Sequence, residues 1–156
     1  MIELGTKAPD FKLKEQKNKT VQLSKLAGKL VLLSFRPLAW TPVCTDQMKS
    51  LEDNFERFGD HNTVALGIGV DSLYSNRAWA EHMGIQKTRL LSDFWPHGKV
   101  AKLFGVFRNK DGFSERANIL INEMQLVIFA KTYPVSELPD IEEIFAMLDK
   151  QQFTVK

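Results

Sequence analysis

The sequence predicts an α/β fold with a mixed central β-sheet flanked by α-helices. Two apolar runs, at residues 30–35 and 63–70, have the length and composition of buried strands, and a segment with helical spacing follows each of them. Two further apolar runs, at residues 118–122 and 126–130, are separated by a short loop and predict an antiparallel hairpin. Strands that alternate with helices pair in parallel, so the hairpin makes the predicted sheet mixed and covered on both sides.

The other segments are expected to pack around this sheet. Near the amino terminus, apolar and polar residues alternate on both sides of Asn18-Lys19, which predicts a short β-hairpin extension. Apolar residues at helical spacing predict a helix after residue 44, another over 76–83, a short one over 100–104 and a last one after Pro139. The buried faces expected for the first and last of these helices carry Met48, Leu51, Phe55 and Phe58, and Ile141, Ile144, Phe145 and Leu148.

Length and composition favour one globular domain over residues 1–156. The net charge of +2 gives no reason to expect nucleic acid as a partner, and no apolar run approaches the roughly 20 residues of a membrane span. A single cysteine excludes an internal disulfide and a thiolate zinc cluster. The amino terminus lacks the basic and apolar regions of a signal peptide, so a reducing, cytoplasmic setting is expected.

The one cysteine, Cys44, follows the first predicted strand in a distinctive setting. Thr41-Pro42 is typical of a helix start, because Thr suits the N-cap and Pro suits the first helical position. Cys44 is therefore expected in the first helical turn, where unpaired backbone N–H groups stabilise a thiolate. The alternative interpretation is that Cys44 is a small buried hydrophobic residue.

Several motifs together resemble the peroxiredoxin family. Pro37, Thr41 and Cys44 match its signature of Pro, three residues, Thr, two residues and Cys, and Arg116 matches its second active-site position. Ala8-Pro9-Asp10-Phe11 resembles the family's opening. The run from Leu90 to Gly98 resembles the one-cysteine, alkyl hydroperoxide reductase E-type branch. This resemblance implies a thioredoxin-like fold and a thiol-dependent peroxidase that reduces hydrogen peroxide and organic hydroperoxides.

The resemblance also implies roles for individual residues. Cys44 attacks the peroxide and becomes a sulfenic acid, while Arg116 and the amides of Val43 and Cys44 hold the peroxide oxygens. Thr41 links sulfur and peroxide through its hydroxyl, although as an N-cap it would instead accept a bond from the Cys44 amide. Pro37 shapes the loop and limits access of water. Trp40 lines the substrate entrance or a dimer surface.

The sequence is less specific about the other charged and aromatic residues. Arg116 could instead pair with Glu115 or Glu123 at the surface. As the candidate cation beside Cys44, Arg36 is ranked below Arg116, because strand alternation could point the Arg36 side chain away from Cys44. His61, His82 and His97 lack ligand spacing, so no metal and no cofactor are expected. Asp93 and Trp95 are expected to have structural or interface roles.

Since the sequence contains no second cysteine, the sulfenic acid must be reduced from outside, by a low-molecular-weight thiol or by a thioredoxin- or glutaredoxin-like protein. The resemblance further implies a homodimer. Three alternatives use the same residues differently: a redox sensor that relays oxidation to a partner, a binding domain that keeps the fold without peroxidase activity, and a cysteine hydrolase with a histidine base.

Overall fold

The computed structural model describes residues 1–154, with side chains through Gln151, so Val155 and Lys156 of the predicted domain lie outside the described residues. The strands are β1 (Lys12–Glu15), β2 (Thr20–Gln22), β3 (Leu30–Phe35), β4 (Thr63–Gly69), β5 (Arg89–Ser92), β6 (Phe107–Arg108), β7 (Phe113–Ser114), β8 (Arg116–Ile121) and β9 (Val127–Tyr133). The helices are α1 (Pro42–Asp53), α2 (Phe55–Asp60), α3 (Leu73–Met83), α4 (Lys99–Leu103) and α5 (Ile141–Thr154).

Seven of these strands form one mixed sheet, which confirms the predicted fold class. Their order is β2-β1-β5-β4-β3-β8-β9. β4 pairs in parallel with β3 and β5, whereas β8 is antiparallel to both β3 and β9. The predicted amino-terminal hairpin is also present as β1 and β2, and β1 pairs with β5, so the hairpin forms one edge of the main sheet.

Apolar side chains pack against both faces of this sheet. All six residues of β3 are buried, and they alternate between the two faces as a central strand requires. One face carries Val31, Leu33 and Phe35, which join the cluster that contains Phe104. The other face carries Leu30 and Leu32, whose cluster includes side chains of α1, α2, α3 and α5.

The helix expected to run from residue 42 through Phe58 is interrupted, and the prediction for Phe55 was wrong. Asn54 leaves helical geometry with φ −105° and ψ 13°, and its side chain donates to the carbonyl of Ser50. α2 therefore begins in a new rotational phase, which leaves Phe55 43% exposed. Phe58 is buried as expected and stacks on Phe145 with ring centroids 4.6 Å apart.

The topology brings three chain segments to the same edge of the sheet. The carboxyl ends of the parallel strands β3 and β4 meet there, and the antiparallel strand β8 begins beside them, with Ala117 opposite Phe35. Arg36 and Arg116 are thus the residues just beyond this pair on the two strands. No helix within residues 1–154 is both long and apolar enough to cross a bilayer.

Phe104→Ala should lower the free energy of unfolding by about 3–5 kcal/mol, the usual cost of emptying a buried phenylalanine site. Phe104 is fully buried, and its ring centroid lies 6.0 Å from those of Phe11 and Phe35. Urea denaturation followed by circular dichroism measures the change. Leu4→Ala, at a residue that is 64% exposed, is the control and should change it by about 0.5 kcal/mol or less. Equal effects of the two substitutions would contradict the assigned core.

Candidate active site

Cys44 lies in the first turn of α1 and is completely buried. Pro42 is the first helical residue and Thr41 the N-cap, as the sequence predicts. The Thr41 side chain makes no capping bond, however, and its hydroxyl donates to the carbonyl of Leu38 at 2.9 Å. The Thr41 hydroxyl therefore does not cap the Cys44 amide, and its role toward a peroxide stays a prediction.

Arg116 is the cation beside the sulfur. Its Nη1 lies 3.2 Å from Cys44 Sγ, and the residue is 2% exposed. Nε and Nη2 donate to the carbonyl of Val135 at 3.1 and 2.7 Å, which holds the guanidinium from its other side. The alternative pairing with Glu115 does not occur, since Glu115 lies 3.7 Å from Arg108 instead. The guanidinium thus places an N–H donor directly at the sulfur.

Gln47 is a site residue that the sequence reasoning missed. Its Oε1 accepts from Arg116 Nη1 at 2.8 Å, and its Nε2 donates to Ser34 Oγ at 2.7 Å and to the carbonyl of Phe35 at 3.1 Å. Ser34 Oγ in turn donates to Asn118 Oδ1 at 2.8 Å. All three polar side chains are buried, so the orientation of Arg116 is fixed by a satisfied internal network.

A signal for this network was present in the sequence. Gln47 follows Cys44 by three residues and so shares its helix face, and it is polar where that face is otherwise apolar. Ser34 and Asn118 each interrupt an apolar strand in the same way. Buried polar side chains require partners, so three of them on adjacent elements predict a shared network.

Tyr133 lies next to Arg116 in the β8–β9 ladder and stays a neutral phenol. It is 8% exposed and donates to Glu143 on α5. Burial raises the pKa of Tyr133, and the negative charge of Glu143 raises it further. The phenol therefore acts as a hydrogen-bond donor that ties β9 to α5.

The loop residues predicted to bind substrate occupy different positions. Pro37 is buried and Val43 is half-buried. Trp40 is 50% exposed; its Nε1 donates to Ser75 Oγ at 3.3 Å, and its ring lies 5.4 Å from that of His82. These contacts place Trp40 at the surface of the loop, against α3.

The histidines and Asp93 take part in other contacts. His61 pairs with Asp149, and His97 bonds the carbonyl of Gly112. Among the described residues, no group of three His, Cys, Asp or Glu side chains is arranged to hold a metal. Asp93 is buried and accepts the Val100 and Ala101 amides of α4, and burial raises its pKa. Trp95 is 81% exposed.

Gln47→Met should slow alkylation of Cys44 by iodoacetamide about tenfold, because Gln47 accepts from the same Arg116 nitrogen that donates to the sulfur, and its loss would let that donor move away. The rate at neutral pH, followed by mass spectrometry, is the measurement. Gln86→Met, at an exposed site, is the matched control and should react like the parent. An unchanged alkylation rate in folded Gln47→Met would show that Gln47 does not position Arg116.

Comparison with known proteins identifies the family. The AhpC/TSA family model matches residues 4–130. Alkyl hydroperoxide reductase E of Mycobacterium tuberculosis (strain ATCC 25618 / H37Rv) is 36% identical over 141 residues, covering 90% of this chain and 92% of that protein. A peroxiredoxin of Thermoplasma volcanium is 32% identical over 157 residues, covering 97% of this chain and 76% of the relative.

Solved structures agree with these relatives. The reduced 2-Cys peroxiredoxin of Plasmodium vivax superposes with a TM-score of 0.88 at 30% identity, covering 98% of this chain and 83% of that one. Enterococcus faecalis AhpC superposes with a TM-score of 0.91 over 99% of this chain and 95% of its own; at 23% identity this likeness shows the fold alone. The fold is therefore thioredoxin-like, and the chain belongs to the AhpC/TSA family of peroxiredoxins.

Proposed function

We propose that this protein is a one-cysteine peroxiredoxin, a thiol-dependent peroxidase that reduces hydrogen peroxide and organic hydroperoxides at Cys44. Its relatives are peroxiredoxins and alkyl hydroperoxide reductases, and it is an oxidoreductase of the same kind. The observation that carries the proposal is the 3.2 Å contact between Arg116 Nη1 and Cys44 Sγ at the start of a helix. The chemistry needs a thiolate nucleophile and donors for developing negative charge, and a guanidinium N–H at the sulfur beside a helix start supports this assignment.

In the proposed reaction, the Cys44 thiolate attacks one peroxide oxygen along the O–O axis. The S–O bond forms as the O–O bond breaks, which leaves a sulfenic acid on Cys44 and an alkoxide or hydroxide that is then protonated. Negative charge grows on the departing oxygen, where Arg116 and the amides of Val43 and Cys44 are the proposed donors. Thr41 is proposed to orient the peroxide through its hydroxyl, and Pro37 and Trp40 to shape the entrance to the sulfur.

The second half of the cycle is assigned to an external thiol. A first thiol displaces water from the sulfenic acid to give a mixed disulfide, and a second thiol releases the Cys44 thiolate. With one cysteine in the 156 residues, both thiols come from a low-molecular-weight donor or from a thioredoxin- or glutaredoxin-like protein. A Drosophila melanogaster relative, 29% identical, is named a thioredoxin-dependent peroxide reductase. Because such reductants work in a reducing compartment, we assign the protein to the cytoplasm.

We also propose a homodimer formed through an aromatic surface beside the active-site loop. This surface comprises Trp40, Tyr74, Phe94 and Trp95, which are 50%, 77%, 51% and 81% exposed. Tyr74, Phe94 and Trp95 line a cavity of about 480 Å³. Exposed aromatic groups of this size mark interaction sites, and dimerisation would cover them.

Cys44→Ser should abolish the reaction with peroxide, and Arg116→Met should lower its second-order rate constant by about 10²–10³-fold, the usual cost of losing one transition-state donor. Stopped-flow tryptophan fluorescence of reduced protein mixed with hydrogen peroxide measures the rate. Arg108→Met is the matched control, because Arg108 pairs with Asp111 at the surface. Peroxide consumption by Cys44→Ser at the parent rate would overturn the proposed function.

Trp95→Glu and Tyr74→Glu should convert the dimer into monomers, because a buried unpaired carboxylate opposes association. Light scattering at matched concentrations gives the mass. Met124→Glu is the control: this residue is 76% exposed, but it follows β8 at the end away from Arg116. A monomeric parent protein, or dimers of unchanged stability in both variants, would refute the proposed surface.

A further inference from the structure

Arg36 is a buried cation that the proposed mechanism does not use. It directly follows β3 and is 0% exposed. Its Nη1 lies 2.8 Å from Asp71 Oδ2, its Nη2 donates to Asn76 Oδ1 at 2.7 Å, and its Cζ lies 4.7 Å from the centroid of the Trp79 ring. Within the described residues its Nε has no hydrogen-bond partner, although it is buried.

Such an arrangement is poorly explained by stability alone. Burial lowers the pKa of Arg36, and Asp71 and, to a smaller extent, Cys44 counteract that effect. A buried ion pair with an unpaired N–H is often no more stable than apolar side chains of the same volume. The guanidinium packs directly against the end of β4, because a Cβ added at Gly69 would lie only 2.7 Å from Arg36 Cζ. The cation is thus enclosed by its surroundings, and its contacts point to a positional role.

The ion pair extends directly into the active-site loop, residues 37–41. Asp71 Oδ2 accepts from Arg36 Nη1 and also from the backbone amide of Ala39, at 2.9 Å. Asp71 follows β4 and lies immediately before Ser72, the N-cap of α3. One carboxylate oxygen therefore joins the end of β3, the start of α3 and the loop that leads to Cys44.

This loop adopts a conformation that needs external support. Trp40 has φ +72°, in the left-handed region that a bulky residue rarely adopts. Strained backbone of this kind persists only where the surrounding structure holds it. The amide before Trp40 is held by Asp71, and the Trp40 side chain is held by Ser75, so both contacts come from the segment that begins α3. The next residues along the chain are Thr41 to Cys44.

We propose that Asp71, oriented by Arg36, is a positioning residue that fixes the active-site loop and thereby sets Thr41 and the Val43 and Cys44 amides where a peroxide binds. Neither Asp71 nor Arg36 touches the peroxide in this scheme. The inference rests on the proposed peroxidase function and adds two residues that lie outside the Pro37, Thr41, Cys44 and Arg116 set.

The first test compares Asp71→Ala with Asp71→Asn, which keeps an oxygen for the Ala39 amide. Asp71→Ala should lower the rate constant with hydrogen peroxide about 10- to 100-fold, because small misplacements of binding groups cost this much. Alkylation by iodoacetamide, which needs a thiolate but no peroxide site, should change by about threefold or less. Asp71→Asn should recover most of the peroxide rate. Arg36→Met should follow Asp71→Ala.

Asp10→Ala is the matched control, because Asp10 likewise accepts a backbone amide, that of Ser24, in a different loop. It should leave the peroxide rate unchanged. A parent-like peroxide rate in Asp71→Ala would overturn the inference, and so would equal losses of peroxide and iodoacetamide reactivity. Should Arg36→Met fail to fold, the comparison of Asp71→Ala with Asp71→Asn tests the inference by itself. The Asp71 side chain is 15% exposed, so its replacement disturbs the core less than replacement of Arg36.

A second measurement does not depend on activity. Amide hydrogen exchange followed by NMR should show faster exchange of the Ala39 amide in Asp71→Ala than in the parent, and intermediate exchange in Asp71→Asn. Unchanged protection of Ala39 would overturn the positioning role whatever the peroxide data show. An unreactive parent protein with the predicted exchange pattern would refute the proposed function while leaving the loop contact intact.

Discussion

The contact between the Arg116 guanidinium and the Cys44 sulfur is the interaction on which the site depends. It joins two residues separated by 72 positions, so it exists only because β8 runs antiparallel to β3 and begins where β3 ends. The Val135 carbonyl and Gln47 fix the guanidinium, and the start of α1 fixes the sulfur. The sheet topology, the position of α1 and the side-chain hydrogen bonds together bring the Arg116 guanidinium to the Cys44 sulfur.

Two buried arginines flank the same edge of the sheet and make different contacts. Arg116 donates to the Cys44 sulfur. Arg36 points to Asp71, and through it contacts the backbone of the active-site loop. Arg116 therefore contacts the sulfur, whereas Arg36 is linked through Asp71 to the loop beside it. Charge burial of this extent is costly, which is consistent with a function beyond stability.

Sequence reasoning predicted the strands, the helix start at Pro42 and the placement of Cys44, because these depend on local periodicity and capping chemistry. Arg116 was assigned through a family motif, since spacing alone cannot tell a cation at a strand start from a surface one. Gln47, Val135 and the partner of Arg36 were missed because their roles are contacts between distant segments. Phe55 was misplaced because the change of helical phase at Asn54 depends on a local hydrogen bond that periodicity does not reveal.

The Val135 carbonyl lies beyond residue 130, where the match to the family model ends. The orientation of the Arg116 guanidinium therefore depends partly on the connection between β9 and α5, which lies outside the residues matched by the family model. Changes of sequence or length in this connection would move the acceptor that holds the guanidinium, and so shift the guanidinium relative to the sulfur, while Pro37, Thr41, Cys44 and Arg116 stay the same.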